Sequence, residues 1–261
     1  MYIKPRGLYI FFYVSKKATV ALIKAVVARE EETKFVSQTR QFRVTHNSGI
    51  TNGGDIIPAL PKLIQDEGEG ASWQRMGMKV SPRTTYVDCY VSLSDVERSC
   101  ALEVFWFLLT HKSQKSIPQL NLAGGVDMTE FLKTGEASRT VAFNGTTDTC
   151  TLPVNNAMFT VLKKGTFKLG KNTGQVQDSI TVGNQPLYGA ISHRWRIPIK
   201  APKTLTYNQD AGPVGSRTQE YPLGFAPFLV FGYVHQNQTS PDTLNQDISV
   251  TIRNAMYYDD A

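Results

Sequence analysis

From about residue 33 onward the apolar positions of this chain recur at every second residue. In TTYVDCYVSL, Val87, Cys89, Val91 and Leu93 point one way, while Tyr86, Asp88, Tyr90 and Ser92 point the other. That alternation predicts a half-buried strand. In RWRIPIK, Trp195, Ile197 and Ile199 alternate with Arg194, Arg196 and Pro198. In DISVTIRNAMYY, Ile248, Val250, Ile252 and Met256 alternate with Ser249, Thr251, Arg253 and Ala255. Two runs, ALEVFWFLLT at 101–110 and FLVFGYV at 228–234, are apolar on both faces and predict central strands held between layers. Val104, Trp106 and Leu108 are expected in the core together with Val87, Cys89, Val91 and Leu93. Further strands are expected near Thr33–Val44, Thr140–Phe143 and Met158–Leu169.

The connections are long and rich in Gly, Pro, Asn and Ser, as in HNSGITNGGD and NQDAGPVGSRTQEYPLG. Eight or nine strands, little helix and no repeat predict an all-β protein. The specific expectation is a single eight-stranded jelly-roll β-sandwich. No composition shift divides residues 32–261, so they are read as one domain behind an N-terminal segment of 1–31.

That segment has a different character. Ala18–Arg29 has Val20, Ile23 and Val27 on one helical face and predicts a short helix. Lys4, Arg6, Lys16, Lys17, Lys24 and Arg29 fall within it, and no Asp or Glu precedes Glu30. The chain holds 28 basic and 22 acidic residues, a formal charge of +6, so six cations ahead of residue 30 leave the remainder neutral. The apolar run Gly7–Val14 ends in Ser15-Lys16-Lys17 without a small-residue cleavage site, and is far shorter than the about 20 residues a membrane span needs. Two readings stay open: a basic, aromatic arm for a nucleic-acid backbone, or a terminus whose charges only solvate it. On the first, the six cations contact phosphates, and Phe11, Phe12 and Tyr13 either stack on bases or pack beneath the folded domain.

No catalytic constellation emerges. GTFKLGKN, Gly165–Asn172, approaches the phosphate loop G-x-x-x-x-G-K-[ST], but Asn172 lacks the hydroxyl that holds magnesium. Phe167 and Leu169 alternate like a strand, and Lys163-Lys164-Gly165 reads as a turn between two strands. His46, His111, His193 and His235 are scattered and form no ligand motif. Cys89, Cys100 and Cys150 are odd in number, lack metal-ligand spacing, and read as small apolar residues of a reducing compartment. Asp66, Glu67 and Glu69 read as a solvated loop cluster, with calcium at a subunit interface as the alternative, and Asp259 and Asp260 carry the same pair of readings. The expectation is a non-enzyme with no cofactor and no metal.

Several segments resemble the capsid proteins of circular, replication-initiator-encoding single-stranded DNA viruses, the CRESS-DNA group. They are Glu32-Thr33-Lys34-Phe35-Val36, Gln74-Arg75-Met76-Gly77-Met78-Lys79-Val80, and Phe159–Leu169, which is similar to a strand pair of that family. Ile197-Pro198-Ile199-Lys200, then Lys203-Thr204-Leu205-Thr206-Tyr207-Asn208, and the ending FLVFGYV with ISVTIRNAMYY complete the set. The matches run in the family's order from residue 32 to the end. The resemblance implies a jelly-roll subunit, a homo-oligomeric icosahedral shell, a circular single-stranded DNA genome as partner, and no membrane. It places the protein in a virion assembled within the host cell, the nucleus being one candidate compartment. The arm departs from the family pattern, being less dense in Arg and Lys.

Two other classes are compatible with an all-β sandwich. A coat protein of a small RNA virus would share the fold and differ in the nucleic acid it encloses. A carbohydrate-binding module would display aromatics on one sheet face, and Tyr86 with Tyr90 are the candidates.

Overall fold

A β-branched or aromatic residue at every second position favours extended backbone, and burying one face of the resulting strand requires a second layer. The computed structural model describes residues 33–45, 56–64, 74–75, 77–93, 102–121, 128–135, 139–170, 192–208, 220–235 and 247–260. The chain divides into two units after Thr33, and the second, Lys34–Ala261, carries the sheets. The expected helix at Ala18–Arg29 lies outside the described residues.

The fold is all-β with antiparallel sheets. The strands are β1 (Lys34–Thr45), β2 (Ile57–Pro58), β3 (Lys79–Leu93), β4 (Leu102–His111), β5 (Leu132–Lys133), β6 (Thr140–Val141), β7 (Phe159–Leu169), β8 (Ser192–Ile199), β9 (Leu205–Thr206), β10 (Phe228–His235) and β11 (Asp247–Asp260). Two short helices, α1 (Ile117–Asn121) and α2 (Thr147–Thr151), lie between β4 and β7. None of the described helices is long and apolar enough to cross a membrane.

One sheet runs β1-β11-β3-β8, with β9 continuing the β8 edge along β3; the other runs β2-β10-β4-β7. The pairings are nested. β1 pairs with β11, β2 with β10, β3 with β8, and β4 with β7.

The two sheets share a core. Val87, Cys89, Val91, Leu93, Ile197, Ile199, Ile248, Val250, Ile252 and Met256 from the first sheet meet Leu102, Val104, Leu108, Leu229, Phe231 and Tyr233 from the second. The alternation predicted for β3, β8 and β11 therefore points inward as expected. Trp106 also packs against this core but is half-buried, its indole 5.7 Å from that of Trp195. Asn254 is the polar exception on the inward face of β11. It is wholly buried, and its amide donates to the carbonyls of Pro58 at 2.8 Å and Leu60 at 3.3 Å, tying the first sheet to the β2 segment.

The second sheet is buried on its other face too, as the doubly apolar runs of β4 and β10 required. Phe105, Leu109, Phe228, Val230 and Val234 pack against Ile117, Leu120, Phe131, Leu132, Phe143 and Val154. The covering residues come chiefly from the β4–β7 connection. Gly232 is needed there, because a Cβ would lie 2.6 Å from the Phe143 ring.

The turn expected at Lys163-Lys164-Gly165 is not formed, and the expected strand pair is one strand, β7. Two features keep it continuous. Leu108 pairs with Lys163 and Leu109 with Val161, so Leu162 is an extra residue that a β-bulge absorbs. Gly165 faces Trp106, whose ring would sit 2.7 Å from any Cβ there. The glycine read as a turn is an accommodation for the indole.

Segments of the sequence resemblance meet in space. The buried Arg75 guanidinium donates to the Gly77 carbonyl at 2.7 Å and the Asn208 carbonyl at 3.1 Å, and lies 4.9 Å from the centre of the Tyr207 ring. Lys34 donates to the Gln74 carbonyl at 2.9 Å and to the Asp260 carboxylate at 2.7 Å. These contacts fasten the ends of β1, β3, β9 and β11 together.

Candidate nucleic-acid interface

Because β1, β11, β3 and β8 bury one face in the core, their other residues form an open sheet face. Register places these in rows. Arg43, Ser249, Ser92 and Ser192 form one, and Gln41, Thr251, Tyr90 and Arg194 the next. Then come Thr39, Arg253, Asp88 and Arg196, followed by Ser37, Ala255, Tyr86 and Pro198. Successive rows on one face lie about 6.8 Å apart, two residues along a strand. Phe35 and Tyr257 end the face, their rings 4.6 Å apart. Among these positions stand four arginines and a single carboxylate.

The third row is internally bonded. Asp88 accepts from Arg196 Nε at 2.7 Å and Nη2 at 3.1 Å, and Arg253 Nε stands 3.9 Å away. The Arg196 hydrogen bond, with Arg253 and Arg194 nearby, lowers the Asp88 pKa against a smaller opposing effect of burial. Asp88 therefore stays ionised and offsets one guanidinium. The Arg196 guanidinium also lies over the Tyr86 ring, 4.0 Å from its centre. That explains why Tyr86, on an open face, is only 8% exposed, whereas Tyr90 is 43% exposed. The aromatic pair expected for a carbohydrate platform thus presents one free ring.

The six cations predicted to contact phosphates, Lys4, Arg6, Lys16, Lys17, Lys24 and Arg29, lie outside the described residues, as do Phe11, Phe12 and Tyr13. The structure instead brings together Arg43, Arg194, Arg196 and Arg253. Their outward direction was legible for Arg194, Arg196 and Arg253, but their convergence depends on which strands are neighbours and in what register, which no single segment carries.

The other chemical candidates that fall among the described residues have structural settings. Gly165–Leu169 of the phosphate-loop-like segment is extended strand, the wrong setting for a loop that must open a helix; Lys171 and Asn172 lie outside the described residues. Asp259 is buried and bonded to Arg83, and Asp260 to Lys34. Among the described residues, no three His, Cys, Asp or Glu side chains converge as metal ligands. Asp66, Glu67, Glu69, His46 and Cys100 lie outside the described residues. Cys89 is buried in the core and Cys150 half-buried in the covering layer, and burial raises both thiol pKa values, so neither is an activated nucleophile. His111 is buried against Phe159, its Nδ1 accepting from the Gln114 backbone N–H at 3.0 Å. No protein-family model matches the chain, and no curated protein matches it.

Proposed function

We propose that the chain is a viral capsid subunit, a single jelly roll whose copies assemble into an icosahedral shell around a circular single-stranded DNA genome. The observation that carries this reading is the nested order β1-β11-β3-β8 against β2-β10-β4-β7. Pairing first-to-last and second-to-second-last supports a jelly roll, an architecture of viral capsid and lectin domains and of cupins. Between those uses, the chemistry favours the shell. Cupins hold a metal on clustered histidines and a carboxylate, and no such cluster forms among the described residues. The Tyr86 and Tyr90 pair would be a sugar-stacking platform, but Arg196 covers Tyr86 and leaves one free ring. A net charge of +6 carried by the first 29 residues suits a polyanionic cargo.

On this reading Lys4, Arg6, Lys16, Lys17, Lys24 and Arg29 contact phosphates without reading sequence. The test is negative-stain microscopy of the expressed protein, with nuclease typing of any copurified nucleic acid. Closed shells holding DNase-sensitive, RNase-resistant strands are expected. Shells holding only RNA would reassign the protein to an RNA virus. Soluble monomers that bind glycans would end the capsid reading.

A further inference from the structure

We infer that the open face of the β1-β11-β3-β8 sheet is a second binding platform for single-stranded nucleic acid, distinct in residues from the N-terminal arm. The inference rests on the capsid reading and names a further surface that meets the genome.

Charge is the first argument. Residues 30–261 carry equal numbers of basic and acidic side chains, 22 of each. Four adjacent rows of this face hold Arg43, Arg194, Arg196 and Arg253 against Asp88, with Asp247, paired to Thr45, in the next row. Counting both carboxylates, the face carries two positive charges in excess, and a polyanion is the complementary partner. Arg43 and Arg194 have no hydrogen-bond or ion-pair partner among the described residues. Among the described residues Arg253 makes only the 3.9 Å approach to Asp88 and a 3.5 Å contact to the Tyr86 hydroxyl. Among the described residues Arg43 and Arg194 are unengaged and Arg253 is only loosely engaged, while Arg196 is held by Asp88 and Tyr86.

Shape is the second argument. Ser37, Thr39, Ser92, Thr251 and Ala255 keep most of the face low, so Tyr90 and the arginines stand above it. Tyr90 pairs across the strands with Arg194 on β8. An exposed ring beside a free guanidinium offers a base its stacking surface and the adjoining phosphate a cation. Every base has a π-face, so such a platform is tolerant of sequence. A duplex hides its bases within the stack, whereas a single strand exposes them to Tyr90.

The test measures binding of the full chain to a fluorescent oligo-dT across a salt series. Each phosphate contact to a single strand contributes about 0.7 to the slope of log affinity against log salt. The triple variant R43Q/R194Q/R253Q should flatten that slope by about 2. It should do so equally in a chain whose six arm cations are Gln. Y90A should weaken binding by about 5- to 150-fold, the range for losing one stacked base, without changing the slope. D88N should strengthen binding and steepen the slope, because it frees Arg196, an outcome that damage to the fold would not produce. Unchanged affinity and slope in the triple variant would overturn the platform. So would Arg variants that weaken oligo-dT and heparin alike while Y90A has no effect, since the face would then be a general polyanion patch. Shell formation by the same variants, viewed by microscopy, separates these failures from failure of the capsid reading.

Discussion

Gly165 has no side chain because Trp106 fills the space one would occupy, its ring 2.7 Å from where a Cβ would stand. G165A should therefore destabilise the domain by about 1–3 kcal/mol through overpacking. W106L, which opens that space, should recover part of the loss when combined with it. Chemical denaturation of the two single variants and the pair checks this, and additive losses would contradict the contact. His111 gives a second prediction at this scale. Burial, with Lys115 nearby, lowers its pKa from the ordinary 6.5, outweighing the opposite effect of Glu130. Above pH 6.5 the ring is neutral whether folded or not, and its contribution to stability is fully present. As pH falls below 6.5 the unfolded chain takes up a proton that the folded ring resists, so stability declines until the lowered folded pKa is passed. In H111Q the slope of unfolding free energy with pH between about 6.5 and 5 should be shallower than in the parent. An unchanged slope would assign the acid sensitivity to other groups.

At the scale of elements, the covering layer over the second sheet stands on aromatic contacts. Phe131 is buried, edge-on to Phe107 at 5.4 Å and to Phe159 at 5.8 Å. F131A should cost about 3–5 kcal/mol. The loss should fall first on residues 112–158, because the other core has its own set of contacts. Hydrogen exchange should show faster exchange across 112–158 with β3 and β11 still protected; uniform loss would mean the two cores unfold together. The long strands were legible because each carries its period within itself: β3, β8 and β11 alternate, and β4 and β10 are apolar on both sides; the two-residue strands β2 and β5 are too short to carry one. The covering layer was legible only as a need, since the runs in β4 and β10 required a partner without naming it. β7 was misread at Lys163-Lys164-Gly165 because its glycine answers to Trp106, a residue 59 positions earlier in the chain. The arginine face was hidden for a related reason. Arg43 and Arg194 belong to strands at opposite edges of the sheet, joined only through β11 and β3.

For the whole molecule, the decisive quantity is the separation of charge from structure. The domain of residues 34–261 folds on apolar contacts between its layers, four of its arginines share one open sheet face, and all the chain's net charge sits ahead of residue 30. On the proposed reading, a shell subunit builds a wall and neutralises a polyanion with separate sets of residues. Replacing Lys4, Arg6, Lys16, Lys17, Lys24 and Arg29 with Gln should therefore lower the nucleic-acid content of particles without altering the unfolding temperature. The most direct test of the account is electron microscopy of the purified full chain, with absorbance and nuclease typing of what the particles contain. The account predicts closed, uniform shells enclosing single-stranded DNA. A monodisperse, nucleic-acid-free monomer at the concentrations and salt range in which the domain is folded would contradict it.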